Sequence, residues 1–268
     1  MTYLGWITAA CVALTPLMAS AHEFWIEPRA YQVDPGGSIV ATLRIGEEFG
    51  GAEQAYLPRS FARFEMRCAG SKAGVPGRAG DRPALAVKAP ADGLCVAIHQ
   101  TQSYSLTYQE WQKFLNFVDH KDFATAVADH KARGLPETGF TERYSRYAKS
   151  LIAVGSGQGK DRAEGLATEI VAEANPYTDN VSGGMPVRVL YNGKPRANAQ
   201  VELFAKSPGG SVKITLHRTD RQGRVRLPVR AGYSYLADAV VLRPLKPAKD
   251  GDPVWETLWA SLTFAVPR

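Results

Sequence analysis

Charge is missing from the beginning of this chain: Met1 to Ala21 contains no Asp, Glu, Lys or Arg. The apolar run from Leu4 to Met18 is shorter than the roughly 20 residues a membrane span needs. It ends at Ala19-Ser20-Ala21, an A-x-A cleavage site, and so matches a secretory signal peptide over residues 1–21. Cysteine is scarce as well, with three in 268 residues. Cys11 lies in the signal, and no cysteine stands at the cleavage site, so the expectation is a soluble periplasmic protein rather than a lipoprotein. Cys68 and Cys95 remain, an even pair in an oxidising compartment, and the expectation is a disulfide. Closing a loop of this size contributes on the order of 3–4 kcal/mol. Two separate buried thiols are the alternative; the wide spacing does not resemble a zinc knuckle.

Other absences narrow the chemistry. There is no H-x-x-x-H, no H-E-x-x-H and no C-x-x-C, so a preformed zinc site of a known protease type is unsupported. No nucleophile–base pair, phosphate loop or clustered carboxylate pair stands out, and the expectation is a protein that is not an enzyme. Only Met66 and Met185 remain after processing, which does not suit a methionine-rich Cu(I) site. The net charge is +6, but Lys and Arg are scattered. The excess suits solubility and attraction to anionic envelope surfaces rather than a nucleic-acid partner.

What is present is mostly β pattern. Phe24 and Ile26 alternate with Glu23, Trp25 and Glu27, as in a strand. Ser38–Ile45, Phe61–Cys68 and Leu94–Gln100 read as further strands, separated by Gly/Pro turns at sandwich-like spacing. Tyr108–Phe117 and Asp122–Arg133 have helical spacing, closed by Gly134 and Pro136. They form a helical insert (about 108–133) inserted into, or packed beside, the first sandwich. Thr141–Val154 reads as a strand with a bend, and Gly155–Arg162 as a flexible loop or linker. Strands then recur at Met185–Leu190, Ala199–Phe204, Val212–Arg218, Arg224–Val229, Tyr235–Leu242 and Leu258–Val266, with Asn192-Gly193 as a hairpin turn. The expected fold is mostly β: two immunoglobulin-like or prealbumin-like β-sandwich units, 22–155 and 165–268, with the small helical insert in the first.

Four segments together resemble the DUF4198 family. They are His22-Glu23-Phe24-Trp25-Ile26-Glu27-Pro28; Arg143 to Leu151 (RYSRYAKSL); Glu169-Ile170-Val171 leading to Asn175-Pro176-Tyr177; and Trp255 to Phe264 (WETLWASLTF). The resemblance implies an exported bacterial protein labelled as a periplasmic component of nickel or cobalt uptake. Separately, Gly193 to Val201, Thr219 to Gly223 and Gly232-Tyr233 are similar to small carboxypeptidase-regulatory and collagen-adhesin B-type sandwiches.

Cleavage after Ala21 exposes His22 as the first residue. An α-amine and an imidazole on one residue can chelate a metal ion, and both are neutral at little cost near pH 7–8. Signal cleavage before a chance histidine is the competing explanation. An albumin-type chelator needs His at mature position three, where Phe24 stands. A second imidazole would come from His99, which shares strand parity with Cys95 and points inward if Cys95 does; a hydrogen-bonded core histidine is the alternative. His217 reads as surface, and His120 and His130 as solvated. Glu23 and Glu27 could add carboxylate oxygens, although a solvated face suits them better. Trp25, Trp111, Trp255 and Trp259 suit either sugar stacking or a core, and the core reading is stronger. The expected ligand set is His22, His99 and Glu23, and the ion a divalent transition metal (nickel, cobalt, copper or zinc), bare or as a small complex. The expected partner is an inner- or outer-membrane metal transporter, and the expected site of action the periplasm, without membrane integration. A structural or adhesive module that binds protein or glycan is the alternative function, and a histidine-brace copper oxidase the remotest.

Overall fold

The computed structural model describes residues 22–268; the expected signal peptide lies outside them. One ten-stranded sheet organises the protein. In order across it run Val212–Arg218, Gln200–Lys206, Ser234–Pro244, Trp255–Ala265, Phe140–Val154, Gly93–Thr101, Phe61–Cys68 and Ser71–Gly74. The short strands Gln32–Val33 and Tyr104–Tyr108 also pair with Phe140–Val154. That strand runs parallel to Trp255–Ala265 and antiparallel to Gly93–Thr101. The segments 22–155 and 165–268 are therefore joined by hydrogen bonds within one sheet.

Layers on both faces explain the sequence pattern of its central strands. Cys95, Ala97, Ala148 and Ile152 turn to one face and meet Phe24, Ile26, Ile39 and Leu43. These come from a small sheet of Glu23–Pro28, Ser38–Glu47, Gly50–Gln54 and Leu85–Lys88. The alternate residues Leu94, Val96, Tyr147 and Leu151 turn to the other face and meet Ile170, Val187 and Val189. These belong to a third sheet, built on Thr168–Ala172, Met185–Tyr191 and Arg224–Leu227. A strand covered on both sides reads as a near-continuous buried run, as Trp255–Phe264 does, every residue of which is buried.

The helices are Trp111–His120 and Ala126–Ala132. The first begins later than its periodicity suggests, because Tyr108 ends a strand that pairs with Phe140–Tyr144. The helical insert packs on Tyr108 and Phe140 and also on Val240, Trp255 and Trp259 of the second segment. His130 corrects the expectation of a solvated side chain. It is fully buried, and its Nδ1 accepts a hydrogen bond from Trp255 Nε1 at 3.0 Å. The core reading of the tryptophans holds for Trp25, Trp255 and Trp259, all buried.

Cys68 and Cys95 face each other across adjacent antiparallel strands and form a disulfide. At Asn192-Gly193 both residues have positive φ, 49° and 71°, the conformation a two-residue hairpin turn demands. The segment 155–162 departs from the flexible linker expected. It has no regular secondary structure, yet the Asp161 side chain is wholly buried and accepts hydrogen bonds from Lys149 Nζ at 2.8 Å and Ala172 N at 2.9 Å. A glycine-rich composition raises the number of open conformations, but the buried ion pair selects one.

Candidate functional site

The first strand, the end of the first helix and the middle sheet converge on a buried polar cluster. On the sheet, Glu202 and Asp238 lie side by side in register on neighbouring strands. Glu23 reaches down onto them from the first strand. Lys121 follows the last residue of helix Trp111–His120, where the helix dipole favours a cation. Its Nζ donates to Glu202 Oε2 at 2.8 Å, Glu23 Oε1 at 3.1 Å and Asp238 Oδ2 at 3.3 Å. It also sits 4.9 Å over the centre of the Trp259 ring. His120 Nε2 lies 3.1 Å from Glu202 Oε1, and Gln200 Nε2 holds the His120 carbonyl at 2.8 Å. One donor atom each from Glu23, His120 and Glu202 fall within 4.8 Å of one another.

Burial dominates the electrostatics. It pushes the Asp238 carboxyl up to about 7, against the pull of Lys121. Burial also raises Glu23, again opposed by Lys121. Glu202 is held below the usual carboxylate range, since His120 and Lys121 together outweigh its desolvation. The imidazole of His120 is raised by its contact with Glu202.

Along the same face, Glu142 is buried and accepts hydrogen bonds from Tyr108 at 2.8 Å and from Thr257. Desolvation raises its carboxyl to about 7. An unfolded chain releases this proton near pH 4.5, whereas the folded one keeps it until about 7. Stability therefore falls as pH rises through that window. Replacing Glu142→Gln is expected to shrink the loss of unfolding free energy between pH 5 and pH 8 by about 3 kcal/mol, measured by urea titration at both values. An unchanged difference would show that the group ionises normally.

The residues singled out from sequence fall into three surroundings. His22 stands at the head of the first strand, half-exposed, with Nδ1 3.1 Å from Glu47 Oε1 on the neighbouring strand. That nitrogen is covered from solvent and makes no aligned hydrogen bond. The His22 carbonyl accepts from Arg146 Nη2 at 3.3 Å. Glu23 corrects the expectation of a solvated face: it is buried against Lys121, whose side chain is equally enclosed. Glu27 is half-buried and paired with Lys206 at 2.8 Å and with Arg44. His99 points inward, as its parity with Cys95 predicts, and is 1% exposed. Phe24, Phe61 and Phe64 surround its ring at centroid distances of 4.9, 4.6 and 5.1 Å. Neither ring nitrogen has a hydrogen-bond partner. The geometry thus brings His22 to Glu47, and Glu23 to His120 and Glu202; His99 is enclosed by carbon. His217 is half-buried, with Nε2 2.8 Å from Thr215 Oγ1.

Sequence reading missed Glu47, His120, Lys121, Glu202 and Asp238 as site residues. One signal was available: Asp238 interrupts the apolar run from Tyr235 to Leu242, and an acid inside a buried strand needs a partner.

Fold and site define a layered β-sandwich protein with a buried carboxylate–imidazole–ammonium cluster beside its first strand. The chain belongs to the family described as "Domain of unknown function (DUF4198)", whose model matches residues 19–242. No curated protein matches it. Among solved structures it is similar to a tetra-tandem repeat from the extending region of a large adhesion protein. That likeness has 11% identity, a TM-score of 0.19, and covers 91% of this chain and 49% of the other. It is also similar to the D0-D1 domain of intimin, with 12% identity, a TM-score of 0.21, and 91% and 97% covered. This chain thus spans about half the length of the first of these.

Proposed function

We propose that this chain is a non-enzymatic periplasmic protein that binds a divalent transition-metal ion, nickel, cobalt, copper or zinc, through His22 and passes it to an envelope transporter. Signal cleavage before His22 frees the α-amine, and amine and Nδ1 together form a chelate. The observation that carries the reading is the contact of that same Nδ1 with Glu47. Two donors each about 2.1 Å from one ion stand about 3.0 Å apart at a right angle and about 3.4 Å apart at the tetrahedral angle. The 3.1 Å between His22 Nδ1 and Glu47 Oε1 falls in that range, without the alignment of a hydrogen bond. Amine, imidazole and carboxylate suit borderline divalent ions. His99 is not part of this set, because its ring lies among three phenylalanines. Nor is Glu23, which faces Lys121.

Calorimetric titration of the chain beginning at His22 with Ni(II), Co(II), Cu(II) and Zn(II) tests the proposal. Saturable binding of at least one ion is expected. One residue added ahead of His22 should weaken that binding by at least about tenfold, or 1.4 kcal/mol. No saturable binding of any of the four, or equal affinity of the extended chain, removes the proposal.

A further inference from the structure

We infer that two copies of this chain pair through the edge strand Val212–Arg218, antiparallel and about a two-fold axis at Thr215, so that the ten-stranded sheet continues from one copy into the other. Val212–Arg218 ends that sheet and, among the described residues, pairs only with Gln200–Lys206. Backbone bonds from Ser207 N to the Ser211 carbonyl, at 2.8 Å, and from Thr219 N to the Ala199 carbonyl, at 3.0 Å, close the ladder at its two ends. Hydrogen-bonded pairs alternate along an antiparallel ladder, so Lys213, Thr215 and His217 are the residues that bond inward. Val212, Ile214, Leu216 and Arg218 turn their N–H and C=O groups outward, where no strand among the described residues meets them.

Folded proteins commonly blunt such edges with short strands, proline, a bulge or charge. The opposite edge of this sheet, Ser71–Gly74, is four residues long and carries no large apolar side chain. Val212–Arg218 has seven residues in unbroken register and no proline. On one face the row Leu236, Phe204, Ile214 crosses three neighbouring strands. Leu236 and Phe204 are buried, whereas Ile214 is 41% exposed and Leu216, beside it on the same face, is 61% exposed.

The partner that this edge selects is itself, because the strand is complementary to its own reverse. Laid antiparallel about Thr215, Ile214 faces Leu216 of the second copy, and Leu216 faces Ile214. The four outward-bonding residues meet the same four, so each outward N–H and C=O finds its counterpart. Apolar side chains placed directly opposite are the pairs that hold adjoining strands together. Charge does not oppose this pairing. Arg218 falls opposite Val212, and its guanidinium is drawn back to Asp122 and, at 3.1 Å, to the Asn198 carbonyl of its own chain. On the other face Lys213 meets His217, and burial holds that imidazole below its usual range, hence neutral at pH 7. A two-fold pair uses one self-complementary patch twice and leaves no free copy of it to propagate.

Sedimentation equilibrium of the chain beginning at His22 tests the inference, with a chelator present so that no metal bridges two copies. Between about 1 μM and 1 mM the mass is expected to rise from that of one chain to that of two. Ile214→Lys sets two ammoniums diagonally across the axis, roughly 7–8 Å apart, and removes both apolar pairs; it should weaken association by about tenfold or more. The side chain is exposed, so an unchanged urea midpoint is expected to show that the variant folds. Thr215→Cys supplies the register. Cys68 and Cys95 are bonded to each other, and non-hydrogen-bonded partners have Cα atoms about 4.5 Å apart, within disulfide reach. Air oxidation should therefore link two copies through position 215. A chain that stays monomeric throughout overturns the inference and leaves the edge to a strand of another protein. A dimer that is unchanged by Ile214→Lys and does not link through position 215 overturns it as well, since it uses another surface.

Discussion

Replacing Lys149→Met is expected to remove about 3–5 kcal/mol of stability, the range for stripping one partner from a buried ion pair. Lys149 lies on the strand Phe140–Val154, 1% exposed, facing the third sheet. Its Nζ binds Asp161 Oδ2 at 2.8 Å and the Arg162 carbonyl at 3.0 Å, and lies 3.6 Å from Glu169 Oε2. Glu169 in turn accepts from the backbone N–H groups of Glu164 and Gly165, and Arg67 contacts both Glu164 and Asp161. Without the ammonium, Asp161 and Glu169 remain buried carboxylates with one charged partner fewer. Methionine matches the length of the stem, so packing changes little and the loss reports the charge. Urea unfolding measures it. Because this network ties residues 161–165 to the sheet, limited proteolysis should cut first within that segment in the variant. A loss below about 1 kcal/mol, the value of an exposed pair, would show that the network contributes no more than a surface ion pair.

The second large effect concerns acid. Burial holds His99 down to about 3, whereas an unfolded histidine titrates near 6.5. Below pH 6.5 the unfolded chain takes up a proton that the folded chain refuses, so this residue's contribution to stability falls as pH drops from 6.5 towards 3. The loss reaches about 3 kcal/mol by pH 4, at 1.36 kcal/mol for each pH unit. His99→Leu, close in volume and without polar atoms, removes it. At pH 8 the variant should equal or exceed the natural chain, since two unpaired ring nitrogens are no longer buried. At pH 4 it should be the more stable of the two by about 3 kcal/mol. Parallel loss of stability in both chains on acidification would mean that the ring reaches solvent or a partner when charged.

How far the chain could be read without coordinates differs by element. Period-2 alternation at Phe24 to Glu27 and at Phe61 to Cys68 located those strands, and the pairing of Cys68 with Cys95 followed from their count and the expected compartment. Parity placed His99 inside. It could not say that three phenylalanines from two different strands would close around the ring and leave it without donors or acceptors. At Glu23 the alternation was right and its meaning was not. Glu23, Trp25 and Glu27 do share a face, but that face is covered by the middle sheet, and Glu23 becomes a buried acid held by Lys121. His130 fails for the same reason: helical spacing says nothing about a tryptophan 125 residues away.

Local rules were thus sufficient for the strands, the hairpin at Asn192-Gly193, the disulfide and the mostly β class. Each rests on neighbours along the chain or on chemistry that does not depend on position in space. The joining of the two segments into one sheet, the anchoring of residues 155–162 and the assembly of Glu23, Lys121, His120, Glu202 and Asp238 were decided only by long-range packing. These groups are separated by more than two hundred residues at the extreme, Glu23 to Asp238, and a charge has no partner, and no shifted ionisation, until the layers close over it.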